Sequence, residues 1–252
     1  MHRFYVPPGQ CSGDVIQLTD DEAHHAARVV RIEAGESVIV LDGAGHTLDC
    51  EVREVTKRSV ALGVKQRTFS PPLPCQITLL QAIPKAKAMD YIVQKATELG
   101  AARVVPILSE RVIVQLNERE AADKAEKLQP VAIEAIKQCG SPWLTKIEPP
   151  VSLKSLLTRG EKFELPLVAS LQDGSQHPRE FIRQFREQHQ RLPATACVWI
   201  GPEGDFTPAE MDLLRTSGAL PITLGRLVLR SDTAAIYSLS VLNYELQTPL
   251  VD

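Results

Sequence analysis

The run Ser70-Pro71-Pro72-Leu73-Pro74 places three prolines within five residues. Proline fixes φ and lacks the N–H that a ladder needs, so no sheet or helix continues through such a run. The hydrophobic period also differs on its two sides. The run therefore predicts a boundary between a small domain, residues 1–70, and a larger one, residues 75–252.

On the N-terminal side, Arg3 to Val6, Val15 to Leu18, Ser37 to Leu41, His46 to Val55 and Ser59 to Val64 read as short strands. Thr19-Asp20-Asp21-Glu22 has the form of a capping box and predicts a helix over His24 to Val30. Short strands with one interposed helix suggest a small β-barrel. Beyond the prolines, apolar runs alternate with helical periods. Strands are expected at Cys75 to Ala82, Val104 to Leu108, Leu165 to Ser170, Ala194 to Ile200 and Ile222 to Leu224. Helices are expected near Met89 to Leu99, Glu118 to Gln138, Pro178 to Gln190, Pro208 to Ser217 and Thr233 to Leu246. That alternation predicts an α/β fold, a mostly parallel sheet with helices on both faces.

Composition removes several classes. No apolar run reaches the ~18–20 residues of a membrane span, and Met1 to Pro8 lacks the pattern of a secretory signal, so a cytoplasmic protein with no membrane partner is expected. The five scattered cysteines form no CxxC pair, so neither a metal site nor a disulfide framework is expected. A net charge of −3 argues against a broad phosphate-binding coat but leaves room for a local basic patch. Candidates for one are Arg28 and Arg31, the basic residues Arg53, Lys57, Arg58, Lys65 and Arg67, and Lys85, Lys87 and Lys95 just past the prolines. Their placement either side of one linker suggests an RNA groove.

Two loops concentrate the chemistry. In Trp199-Ile200-Gly201-Pro202-Glu203-Gly204-Asp205-Phe206-Thr207-Pro208-Ala209-Glu210, a buried strand enters a two-glycine turn and then a helix. Thr207 reads as the N-cap, Pro208 as the first helical residue and Glu210 as the capping-box partner. In Leu224-Gly225-Arg226-Leu227-Val228-Leu229-Arg230-Ser231-Asp232-Thr233-Ala234, a second strand enters a helix that Ser231 or Asp232 could cap, with Arg230 just outside. Glycine-bearing loops at strand ends are where α/β sheets hold ligands, and both would feed one pocket. On residues alone, Arg230 is equally at home in a surface ion pair.

Taken together, these loops resemble the RsmE family of SPOUT-class ribosomal RNA methyltransferases. The likeness extends to Met1-His2-Arg3-Phe4-Tyr5-Val6, to His25 through Arg31, and to Lys95-Ala96-Thr97-Glu98-Leu99-Gly100. The resemblance implies an N-terminal PUA-like barrel that recognises RNA, contacted here through His25, Arg28, Arg31, Lys85 and Lys87. It further implies a trefoil-knotted, Rossmann-like SPOUT domain that binds S-adenosylmethionine and works as a homodimer. The implied substrate is 16S ribosomal RNA, within the small ribosomal subunit, methylated at N3 of a uridine. The implied cofactor contacts are Ile200, Gly201, Pro202, Glu203, Gly204, Leu224, Gly225, Leu229, Ser231, Thr233 and Ala234, with Arg230 catalytic. No residue stands out as general base; Glu203 and Asp232 are both candidates. The chain departs from the family in carrying Asp205 where many members have glycine, Ser231-Asp232 where they have Thr-Glu, and Ser141 where an arginine is common. Two other readings remain: a ribose 2′-O methyltransferase, and an RNA-binding assembly factor without turnover.

Overall fold

The computed structural model of the protein describes residues 1–56, 58–84, 88–111, 117–172 and 174–247. In chain order, the elements before the prolines are β1 (His2–Tyr5), β2 (Val15–Leu18), α1 (Asp20–His24), β3 (Ser37–Leu41), β4 (His46–Val55) and β5 (Val60–Phe69). Then come β6 (Gln76–Ala82), α2 (Ala88–Glu98), β7 (Arg103–Leu108), α3 (Glu118–Cys139), β8 (Lys146–Ile147), β9 (Val151–Ser152) and α4 (Leu153–Thr158). The last are β10 (Leu165–Ala169), α5 (Pro178–His189), β11 (Thr195–Ile200), α6 (Pro208–Thr216), β12 (Leu220–Ile222) and α7 (Ser231–Gln247). The chain divides into two compact units, Met1–Pro72 with Ile133–Leu144, and Leu73–Ala132 with Thr145–Asp252.

In the first unit the strands follow the order β1-β3-β4-β5-β2. β1 runs parallel to β3, and the other pairs are antiparallel. Alternation turns one face inward: Phe4, Ile16, Leu18, Val38, Val40, Leu48, Cys50, Val52, Val60 and Leu62, drawn from all five strands, form one core. The capping box expected at Thr19 is not made. Asp20 sits in left-handed backbone at φ 49°, and the Glu22 carboxylate instead accepts from Lys137 Nζ at 2.8 Å. The helix also widens: α1 passes into a π-helical turn over His25–Val30, closed by Arg31 at φ 61°.

Residues 133–144 belong with this unit through identifiable bonds. Arg3 Nη1 donates to the carbonyls of Lys137 and Gln138 at 3.2 and 3.1 Å, neutralising the negative end of α3. Trp143 Nε1 donates to the Ser70 carbonyl at 3.0 Å, and the amide of Leu144 to that of Gly43 at 3.0 Å. The buried Lys137 ammonium donates to Glu22 and to Glu134, at 2.8 and 2.7 Å. Burial works to lower its pKa, but the two carboxylates outweigh that and hold it above the ordinary lysine value.

In the second unit, seven strands form one sheet in the order β12-β10-β11-β6-β7-β8, with β9 also on β7. Every pairing among the described residues is parallel, as the alternating pattern predicts. β6 and β11 are apolar along most of their length because helices cover both faces. The strand expected at Ile222 to Leu224 begins two residues earlier. Ile222 is its last paired residue, opposite Ala169, and Thr223 and Leu224 already belong to the following loop. Pro221 is tolerated there because β12 is an edge strand. β8, β9 and α4 were not anticipated.

Four cysteines are buried, and burial pushes the thiols of Cys11 and Cys50 up to about 11 and that of Cys75 to about 12. Cys139 is exposed. Among the described residues no helix is long and apolar enough to cross a membrane.

Replacing Lys137 with Met leaves the Glu22 carboxylate unpaired in a half-closed site. Urea unfolding should show a loss of about 2 kcal/mol. Glu134→Ala, at the exposed end of the same pair, should stay within about 0.5 kcal/mol of the parent.

Candidate functional site

A cavity of about 430 Å³ opens at the carboxyl ends of β10, β11 and β12, lined by segments of residues 169–175, 200–205 and 223–231 and by Ala234. Such a volume suits a small-molecule ligand. The three strands are neighbours running the same way, so their C-terminal loops converge by geometry. Of the eleven cofactor contacts expected from sequence, Ile200, Gly201, Pro202, Glu203, Leu224, Gly225, Leu229, Ser231 and Ala234 line this cavity. Gly204 and Thr233 are exposed and stand outside the lining. Arg230 is also exposed; it lies between two lining residues without lining the cavity itself.

Each wall has its own brace. In the loop after β11, the Asp205 amide donates to the Pro202 carbonyl at 2.9 Å, and Asp205 takes left-handed backbone at φ 62°. That conformation is free for glycine and tolerable for aspartate, which accounts physically for this departure from the family. The aspartate adds what glycine lacks: its Oδ1 accepts from the Phe206 amide at 2.8 Å, and its Oδ2 from the Leu171 amide at 3.4 Å. The loop then ends in the expected capping box. Thr207 Oγ1 accepts from the Glu210 amide at 3.2 Å, and Glu210 Oε2 accepts from the Thr207 amide at 2.9 Å.

Glu210, 3% exposed, does more than cap. Its Oε1 accepts from the Glu110 amide at 2.8 Å, while the Thr207 hydroxyl donates to Glu110 Oε2 at 2.9 Å. The loop after β7 is thereby clamped to the start of α6. Arg111, next along it, donates from Nη1 to the Asp205 carbonyl at 3.4 Å.

In the loop after β12, Gly225 takes φ 110°, a left-handed value at which a side chain would be strained. Leu227 and Val228 that follow are both 77% exposed at the cavity mouth. The expected capping by Ser231 or Asp232 is not what forms. The Ala234 amide donates to the Arg230 carbonyl at 2.8 Å, which makes Arg230 itself the N-cap of α7. Ser231 turns its hydroxyl to the Gly201 carbonyl, at 2.7 Å, joining two walls of the cavity. Asp232 Oδ1 accepts from the Thr233 amide at 2.7 Å.

The basic residues are more scattered in role than the sequence suggested. Arg28 and Arg31 are exposed, but His25 is half-buried with its ring edge-on to Phe4, centroids 6.3 Å apart. Lys65 pairs with Glu51, and Arg67 spends its guanidinium on the carbonyls of Cys11 and Gly13. Lys95 pairs with Glu98 at 2.7 Å. Lys57, Lys85 and Lys87 lie outside the described residues. Sequence reasoning missed the third wall, residues 170–172 and 174–175, and the Glu110–Glu210 clamp. The end of β10 was the available signal for that wall; the clamp had none in the sequence.

Glu210→Ala removes a buried carboxylate that satisfies two backbone amides. It should lower unfolding free energy by about 2–3 kcal/mol in chemical denaturation. Glu210→Gln should recover part of that, since an amide oxygen can replace only one acceptor.

Residues 71–243 match the RNA methyltransferase domain, and residues 18–65 match the RNA methyltransferase PUA domain. Ribosomal RNA small subunit methyltransferase E of Aquifex aeolicus is 32% identical over 243 residues, covering 96% of this chain and 99% of its own. The Bacillus subtilis protein of the same name is 30% identical over 231 residues, covering 90% and 89%. Among solved structures, a putative methyltransferase from Legionella pneumophila in complex with SAM superposes with a TM-score of 0.84 at 30% identity, over 96% of each chain. The ribosomal RNA small subunit methyltransferase E of Neisseria gonorrhoeae, bound to S-adenosyl methionine, gives 0.83 at 25% identity, over 97% of each. Matched along both units and nearly end to end, the chain belongs to the ribosomal RNA small subunit methyltransferase E family of RNA methyltransferases.

Proposed function

We propose that this protein methylates N3 of a uridine in 16S ribosomal RNA, with S-adenosylmethionine as methyl donor. The observation that carries the reading is the convergence on one cavity of nine residues that the resemblance implied as donor contacts, in a chain of this family. The cavity fits such a donor. Its lining includes Gly201 and Gly225, which carry no side chain and leave amides and carbonyls bare to read a purine edge. Leu171, Leu227, Val228 and Leu229 supply apolar surface at the same opening.

When bound, the donor supplies a methyl group made electrophilic by its sulfonium. The protein must then hold uridine N3 in line with that group and stabilise the charge that grows on the flanking carbonyl oxygens as the N3 proton leaves. Arg230 is assigned that second task. It is exposed, fixed at the start of α7 beside Leu229 and Ser231, and carries a permanent forked charge suited to a carbonyl oxygen. Of the two carboxylates, Glu203 lines the cavity and Asp232 does not; we assign the N3 proton to Glu203. Residues 1–70 would recognise the RNA through His25, Arg28 and Arg31. The SPOUT domain, residues 75–252, would thread as a trefoil knot. The enzyme would act in the cytoplasm as a homodimer, on RNA within the small subunit.

Arg230→Ala should reduce kcat by at least about a hundredfold while leaving calorimetric affinity for S-adenosylhomocysteine within a few fold. Normal turnover would remove Arg230 from the chemistry. Nucleoside digestion of the RNA product followed by mass analysis should give a base-methylated uridine. A ribose-methylated one would replace this reading with 2′-O transfer.

A further inference from the structure

Gln81 lies near the end of β6, opposite Ile200 of β11 and Pro106 of β7, and is fully buried in the middle of the sheet. Its Nε2 donates to the Ala82 carbonyl at 2.8 Å and to Ser231 Oγ at 2.8 Å. Its Oε1 has no hydrogen-bond partner. The orientation of the amide is not arbitrary, because the reversed amide would set Oε1 against the Ala82 carbonyl, acceptor against acceptor. Ser231 is 6% exposed. A hydroxyl that accepts from an amide nitrogen keeps one proton to give, and Ser231 gives it to the Gly201 carbonyl at 2.7 Å.

We infer that Gln81 is a positioning residue for the donor pocket: through the Ser231 hydroxyl, its amide fixes the Gly201 carbonyl and the first residue of α7. The relay thus sets two walls of the cavity, and it anchors the residue that follows Arg230. Packing alone does not call for a glutamine here. A methionine of nearly the same shape would fill the space and leave no unpaired oxygen in the core. What the amide nitrogen contributes is direction: it can only donate, so the Ser231 hydroxyl accepts from it and gives its own proton to Gly201. This inference rests on the reading of the cavity as the methyl-donor site.

The test compares Gln81→Met, Gln81→Glu and Ser231→Ala by calorimetry with S-adenosylhomocysteine, alongside thermal melting. Gln81→Met should weaken binding about tenfold without lowering Tm. Ser231→Ala should weaken it by a similar factor, and the double variant by little more than either one, because both remove the same relay. Gln81→Glu gives a readout that a packing role would not. While its buried carboxyl is protonated it can still donate to Ser231, and part of the affinity returns. Once ionised it can only accept, which draws the Ser231 proton away from Gly201. Affinity of that variant should therefore fall as pH rises, with no such step in the parent. Unchanged affinity in Gln81→Met, a loss that merely tracks a fall in Tm, or a flat pH profile in Gln81→Glu would each overturn the inference alone. A parent protein that does not bind S-adenosylhomocysteine would overturn both the cofactor reading and this one.

Discussion

Parallel pairing leaves β10, β11 and β12 no choice about where they end. Each strand runs the same way as its neighbour, so each delivers its following loop to the same side of the sheet. Three chain segments far apart in sequence, around residues 170, 201 and 224, become the walls of one cavity because the sheet order makes β10 the strand between the other two. The same pairing buries the strands on both faces, which is why they are apolar and why polar groups in the sheet are few. One of them, Gln81, sits near the end of β6 and bonds the first residue of α7.

The first unit solves a different problem. A five-stranded sheet within residues 1–72 can enclose only a modest core, and part of its stability comes from bonds to residues distant in the chain. Lys137, Trp143 and Leu144 supply them, by an ion pair, an indole hydrogen bond and a backbone bond. The buried Lys137 ammonium is tolerable because two carboxylates reach it; a lone charge in the same place would carry the full cost of leaving water.

What could be read from the sequence was local. The strand–turn–helix at Trp199 to Glu210 was legible because its glycines, proline, threonine and glutamate all act within a few residues of one another, and the capping box forms with both of its bonds. Where a residue's partner lies far off, the same reasoning misled. The box at Thr19 fails because the Glu22 carboxylate is taken by a lysine 115 residues away. Ser231 looked like a cap and instead bonds Gly201, thirty residues earlier. β8 and β9, two residues each, are too short to show a period. The wall at residues 170–172 and 174–175 carries no motif, and the sheet order brings it to the other two.

Asp205 and Gly225 show where the loops are most demanding: both hold left-handed backbone, one with a side chain that ties the turn together and one with none. At these two positions of the cavity wall, dihedral angles are what mutation must preserve, more than the identity of the amino acid. Drift in such loops is screened for shape before chemistry, so two proteins alike at only about a third of their positions can still present the same surface to the same molecule.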